Sequence, residues 1–190
     1  MKQRGLEKFN NLVDALSALP TVGKKSALRY AYHMVLNDSF SALKLSHAIE
    51  NAVSNISRCT QCGGLSEDEI CEICFDENRD SKKLCVVESA KDIFVIEDGA
   101  LYDGKYFVLE NLDEEQLYNL KNLIESGVEE VIFAFTPSLA NDGVILFIED
   151  KLKGYELTFT KIAQGVPTGV NLENVDMLSL SKALSDRVKI

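Results

Sequence analysis

The chain has 190 residues, 46% hydrophobic and 26% charged, the make-up of a soluble globular protein with room for one generous domain or two small ones. No run of about 18 apolar residues occurs, which excludes a membrane-spanning helix. The formal net charge of -10 excludes broad, non-specific attraction to nucleic acid. That average conceals an uneven distribution: residues 1–35 carry Lys2, Arg4, Lys8, Lys24, Lys25 and Arg29 against Glu7 and Asp14, whereas 110–115 is acidic. The start, Met1-Lys2-Gln3-Arg4-Gly5, leads into an amphipathic stretch rather than an apolar signal core, so a reducing cytosol is the expected compartment.

Leu6, Phe9, Leu12, Val13 and Leu16 follow helical spacing and predict a first helix ending near Leu19-Pro20. After a Pro-Thr-Val-Gly turn, 24–36 reads as a second helix with Leu28, Ala31, Tyr32 and Val35 on its apolar face. A third helix is expected over 39–57, buried through Leu43, Ile49, Ala52, Val53 and Ile56. Beyond Lys83 the texture changes. Short apolar runs at 84–87, 106–109 and 131–135, with a fourth at 156–162, have the character of buried parallel strands. Helices are expected between them. One starts at Asp113 with Gln116 completing a capping box and Gly127 as its stop; another spans 141–153 and stops at Gly154. Such alternation predicts an α/β fold, a mostly parallel sheet covered on both faces.

Cys59 and Cys62 form one Cys-x-x-Cys knuckle, and Cys71 and Cys74 form a second after eight intervening residues. Four thiolates at this spacing suit one tetrahedral Zn²⁺, with Gly63 and Gly64 permitting the turn after the first knuckle. All four positions come from the protein, so the ion's role is structural. Disulfides, free thiols and an iron–sulfur cluster are the alternatives that spacing alone leaves open. The fifth cysteine, Cys85, lies inside an apolar strand and reads as a small buried hydrophobe.

The stretch Leu19-Pro-Thr-Val-Gly23-Lys24-Lys25-Ser-Ala27 sits between two predicted helices. Gly23 lets backbone approach a phosphate, the next helix offers unpaired N–H groups, and Lys24, Lys25 and Arg29 add positive charge, Arg29 one turn beyond Lys25. This is the pattern of a helix-hairpin-helix that grips the DNA backbone without reading bases. The preceding strand and the glycine spacing of a nucleotide-binding P-loop are missing. An ordinary glycine turn between two structural helices would look the same at this level.

Glu88 ends the first predicted strand, at the carboxyl edge where α/β sheets bind ligands. After the third strand, Thr136 to Asp142 supplies Asp142 and no Asp-x-Asp pair, too few oxygens for a firm Mg²⁺ site. His33 and His47 read as structural histidines.

Taken together and in order, these segments resemble the RecR family of bacterial recombination mediators. The resemblance runs through 19–27, the four-cysteine finger, Cys-Val-Val-Glu-Ser at 85–89 and Tyr-Phe-Val-Leu at 106–109. It closes with Lys-Ile-Ala-Gln-Gly-Val-Pro-Thr-Gly at 161–169, Leu172-Glu173 and Val175-Asp176. It implies a helix-hairpin-helix DNA-binding module over 1–57, a zinc finger over 58–77, a Toprim domain over 78–166 and a Walker B-like segment over 167–190. It further implies a ring-like homotetramer that encircles DNA, acts with RecO and RecF, and places RecA on gapped DNA without being an enzyme. Three departures from the family pattern stand out. Thr21 replaces the first glycine of Pro-Gly-x-Gly, Glu110-Asn-Leu-Asp-Glu-Glu115 replaces a Leu-Ser-Pro-Leu-Asp-Gly-like loop, and Ala140-Asn141-Asp142 replaces Glu-Gly-Glu/Asp. With the acidic pair gone, Glu88 and Asp142 are expected to recognise a partner such as RecO. The contrasting expectation is a Mg²⁺-dependent Toprim nuclease or primase using the same two acids.

Overall fold

The computed structural model describes residues 5–100, 102–163, 165–166 and 168–185. Gln164 and Pro167 of the 161–169 block, and the basic residues Lys2 and Arg4, lie outside the described residues. The chain divides into two compact units, Met1–Ile56 and Ser57–Ile190.

In the first unit, α1 (Glu7–Ser17) packs against α2 (Lys24–Tyr32). The backbone of α2 then widens into a π turn over His33–Asn37 before α3 (Ser39–Asn55) starts on its Asp38 cap. The helices stand where hydrophobic spacing places them, with Phe9, Leu12, Val13 and Leu16 of α1 half-buried and Ala31 of α2 buried, but most of the expected faces of α2 and α3 are not. On α2 the fully buried residues are Ala27 and Ala31, one turn apart, while Leu28, Tyr32 and Val35 are exposed. Small side chains are what let two helices approach closely in a short hairpin, so the alanines, not the larger residues, meet the rest of the unit. Leu43, Ile49, Ala52 and Val53 on α3, and Ile56 just past its end, which the spacing assigns to the core, are all exposed. Helical period reveals an amphipathic face, not what covers it, and within the unit α3 contacts chiefly the π turn. His33 and His47 are likewise exposed.

The second unit opens with a two-stranded antiparallel ribbon, β1 (Ser57–Arg58) with β2 (Leu65–Ser66), and the one-turn helix α4 (Glu72–Phe75). The apolar runs then become β3 (Asp80–Val87), β4 (Gly104–Val108), β5 (Glu130–Ala134) and β6 (Thr158–Lys161). They pair in the order β4-β3-β5-β6, every neighbour parallel, with Cys85 opposite both Tyr106 and Ile132. The crossovers are α5 (Ala90–Asp98), α6 (Glu114–Glu125) and α7 (Leu139–Lys151).

Side chains alternate across the pleat, so each strand feeds two cores. Leu84, Val86, Phe107, Val131 and Phe133 pack under α6 and α7 through Leu120, Ile124 and Ile148. Cys85, Val87, Tyr106 and Val108 pack under α5 through Ala90 and Ile93, with Ile73 of the finger alongside. Cys85 is buried as expected, and burial pushes its thiol up to about 12.

Helix starts follow local chemistry closely. Asp113 accepts the Gln116 N–H at 2.8 Å. The Gln116 side chain does not close the expected box; it accepts the Asn111 N–H at 3.0 Å, tying down the loop instead. A reciprocal capping box stands at α5, where Ser89 caps and Asp92 accepts the Ser89 N–H. Helix α7 starts two residues earlier than expected because Ser138 caps it, accepting from the Asn141 N–H at 3.1 Å. After the sheet, Leu172–Asn174 forms a 3-10 turn and Asp176 accepts the Ser179 N–H at the start of α8 (Met177–Ser185).

Candidate metal centre and nucleic-acid interface

The sulfurs of Cys59, Cys62, Cys71 and Cys74 all lie within 4.8 Å of one another. The Cys62–Cys71 and Cys59–Cys74 separations are 3.6 and 3.9 Å. Four sulfurs about 2.3 Å from one ion would sit about 3.8 Å apart, so the cluster has the edge length of a zinc tetrahedron. No disulfide joins these cysteines.

The knuckles are made by backbone. Cys59 accepts the Gly63 N–H through its carbonyl at 2.9 Å, and Gly64 N–H points at the Cys62 sulfur at 3.3 Å. Cys71 N–H donates to the Cys59 sulfur at 3.3 Å, tying the second knuckle to the first. Gly63 has φ +74 and lies so close to β4 that a Cβ would stand 3.3 Å from that of Val108, so both conformation and contact call for glycine.

Four thiols this close compete for charge. A hydrogen bond from Cys74 draws the Cys62 thiol down to about 6, while burial pushes Cys71 up to about 11. Cys74 is raised by the proton it shares with Cys62 and by burial. One thiolate thus suppresses the next, and a divalent cation is what allows all four to ionise together. The residues present fit zinc. It supplies cross-linking here rather than chemistry, since four protein ligands leave no position for water.

The finger is stapled to the sheet. Val108 N–H donates to the Cys62 carbonyl at 2.8 Å, covering the outer edge of β4. The Lys105 ammonium reaches from β4 to the carbonyls of Ile73, Cys74 and Asp76 at 2.8, 3.0 and 2.6 Å. Those carbonyls close the C-terminal end of α4, where a cation also complements the exposed ends of the peptide dipoles. Arg58 adds an ion pair to Glu110 at 2.8 Å. Nearby, Arg79 joins Glu97 and donates to the Gly104 carbonyl at 2.9 Å, while the Tyr106 hydroxyl donates to Glu97 at 2.6 Å. Burial opposes the Glu97 charge, but Arg79 and Tyr106 outweigh it and hold the carboxyl below its usual range. Sequence reading finds the ligands and misses this staple, because Lys105 and Arg79 carry no local spacing signal.

In the first unit, Gly23 caps α2 with extended backbone (φ -75, ψ 161), and no side chain caps that terminus. A Cβ on Gly23 would meet nothing within 4 Å, so neither its backbone nor its packing requires glycine. Lys24, Lys25 and Arg29 are exposed. Lys25 and Arg29 lie on the side of α2 opposite Ala27 and Ala31, and the Arg29 guanidinium stands 5.5 Å over the Tyr30 ring. Thr21, in the turn before Gly23, has φ +66, the left-handed region where its β-branched side chain is strained.

At the carboxyl edge of the sheet, Glu88 does not reach outward as an unpaired acid. Its carboxylate accepts the Thr136 N–H at 2.6 Å and the Asn141 side-chain amide at 2.9 Å. The backbone hydrogen bond from Thr136 leads in holding this carboxyl below its usual range. Asn141 also donates to the Thr136 carbonyl at 2.7 Å, so one amide bridges the strand end and the loop. Asp142 pairs with Lys161 of β6 at 2.9 Å. The two acids are therefore each engaged by other groups, and Asn141, which the sequence marks only as a lost acid, links Glu88 to the loop.

Two family models match the chain: the RecR helix-hairpin-helix over residues 9–53, and the RecR zinc finger domain of four cysteines over residues 56–74, which spans all four ligands. A Recombination protein RecR from a Nitratiruptor species is 66% identical over 97% of this chain and 98% of its own length. That of Campylobacter jejuni subsp. jejuni is 55% identical over 98% of this chain and 99% of its own. That of Helicobacter pylori is 53% identical over 98% and 97%. With identity of this order along nearly the whole chain, and with a four-sulfur site and a basic helical hairpin in the matched segments, the chain belongs to the RecR family of recombination proteins.

Proposed function

We propose that this chain is a non-enzymatic mediator of recombinational DNA repair that closes as a homotetrameric ring around DNA and bridges RecO and RecF to load RecA on gapped DNA. The observation that carries the DNA-binding part is the exposed hairpin at Gly23. An uncapped helix start, an open approach to backbone and the cations Lys24, Lys25 and Arg29 meet there. Helix N–H groups and point charges together suit phosphate oxygens and carry no base preference. A cytoplasmic, nucleoid-associated location accords with this activity, and among the described residues no helix is long and apolar enough to cross a membrane.

The ring part is supported by apolar surface that the chain leaves uncovered. Leu45, Ile49 and Val53 line one side of α3, with Ile56 just past its end, and Val53 is 79% exposed. Exposed apolar stripes mark interaction sites, and a second copy of this chain is the surface that would cover this one. The non-enzymatic part is supported by the carboxyl edge, where Glu88 is occupied by Thr136 and Asn141, and Asp142 by Lys161. Recognition of a basic partner such as RecO at this edge would rest on electrostatic complementarity and would require the partner to compete with Lys161 for Asp142.

Mass in solution, measured with and without DNA, tests the reading. A tetramer that remains closed and takes up DNA supports it. A monomer that cleaves DNA or extends primers with Mg²⁺, and loses that activity on Glu88→Gln, overturns it.

A further inference from the structure

Helix α2 buries only Ala27 and Ala31, yet the rest of its surface is not simply polar. Lys25 and Arg29 form one row along it, one turn apart, and Leu28 and Tyr32 form a second row beside the first, also one turn apart. Leu28 is 52% and Tyr32 55% exposed, so a leucine and an aromatic ring lie in water directly beside two cations. Neither is buried by the hairpin packing, which uses Ala27 and Ala31, and their row lies between that side and the cations. Immediately after Tyr32 the helix widens into the π turn at His33–Asn37, a distortion that is frequent at functional sites.

A duplex presents phosphates along its outside and keeps its base faces stacked, so it would engage only the cation row. A single strand presents phosphates on one edge and bases on the other, and would engage both rows at once. Positively charged grooves with aromatic platforms are how single strands are held without sequence preference. We propose that a single-stranded DNA segment lies along α2, its phosphates on Lys25 and Arg29 and one unstacked base against the Tyr32 ring, with Leu28 alongside. The juxtaposition of charge and aromatic surface favours a polyanion over an apolar protein surface: a second copy meeting this face with its own α2 would bring Lys25 and Arg29 against their counterparts. The inference rests on the DNA-binding reading above and deepens it, since it assigns this hairpin a preference for the unpaired strand.

The test uses the intact zinc-bound chain and three probes: an oligothymidine, an oligonucleotide of the same length built from abasic sites, and a duplex. Tyr32→Ala should weaken oligothymidine binding roughly five- to hundredfold, the range expected for losing one stacked base. Binding to the abasic strand and to duplex should be unchanged, and Tyr32→Phe should restore the loss. The chain has no tryptophan, so Tyr32→Trp gives a single reporter at the site. Its fluorescence should be quenched by oligothymidine and not by the abasic strand. Wild-type oligothymidine affinity in Tyr32→Ala, while Lys25→Ala/Arg29→Ala binds weakly, would overturn the stacking and leave the DNA reading standing. Unchanged binding in both variants would overturn both. A change in oligomer mass on Tyr32→Ala without DNA would assign the face to a second copy and overturn the proposal.

Discussion

Thr21 has a backbone conformation poorly matched to its side chain. A β-branched residue at φ +66 carries local strain that glycine would not, and nothing else in the turn demands threonine. Thr21→Gly should therefore raise stability by about 1 kcal/mol, the low end of what a left-handed non-glycine residue costs. Denaturant unfolding measures it, and a loss of stability would show that the turn relaxes around threonine. Gly23, two residues on, is the reverse case: its backbone is ordinary and its surroundings open. Glycine suits the helix cap there and keeps the approach to the first turn of α2 open. Glu88 titrates with a folded carboxyl pKa lowered below its usual 4.5, led by the Thr136 N–H. Its contribution is then present above the unfolded carboxyl pKa and is lost as pH falls through the folded value. Glu88→Gln should destabilise the protein at neutral pH, with the difference from wild type vanishing in acid. An equal difference at both pH values would contradict the charge-based account.

At the scale of elements, the strands were legible because parallel strands buried on both sides read as continuous apolar runs, as at 84–87 and 131–135. The zinc ligands were legible because two Cys-x-x-Cys knuckles bring their chemistry with them. The buried sides of α2 and α3 were legible only at Ala31, because spacing cannot tell whether an apolar face meets its own chain or another, nor that Ala27 would join it in place of Leu28 and Tyr32. Nor was the staple between finger and sheet, which depends on one lysine reaching three carbonyls far back in the chain. Finger and staple can be tested separately. Elemental analysis should give about one zinc per chain, and Cys62→Ser should lose the metal together with much of the stability, because the finger has little core of its own. Full stability without metal would contradict this. Lys105→Met should retain zinc but cost about 2 kcal/mol, the range for hydrogen bonds to a charged group, and should speed amide exchange at Val108. Unaltered exchange there would mean the finger holds the sheet edge by other contacts.

For the whole molecule, a net charge of -10 and a DNA-binding role are compatible only if positive charge is concentrated where DNA lies. Assembly follows a similar logic. If the α3 stripe is an interface between copies, Ile49→Asp with Val53→Asp should lower the mass in solution while leaving helical content intact. An unchanged mass would place the interface elsewhere. The salt dependence of DNA affinity is the most direct measurement of the central claim, that the hairpin beginning at Gly23 is where this chain holds DNA. With Lys25→Ala and Arg29→Ala together, affinity should fall, and the slope of log affinity against log salt should drop by roughly two units, about one for each phosphate contact released. Wild-type affinity and an unchanged slope in that double variant would contradict the account.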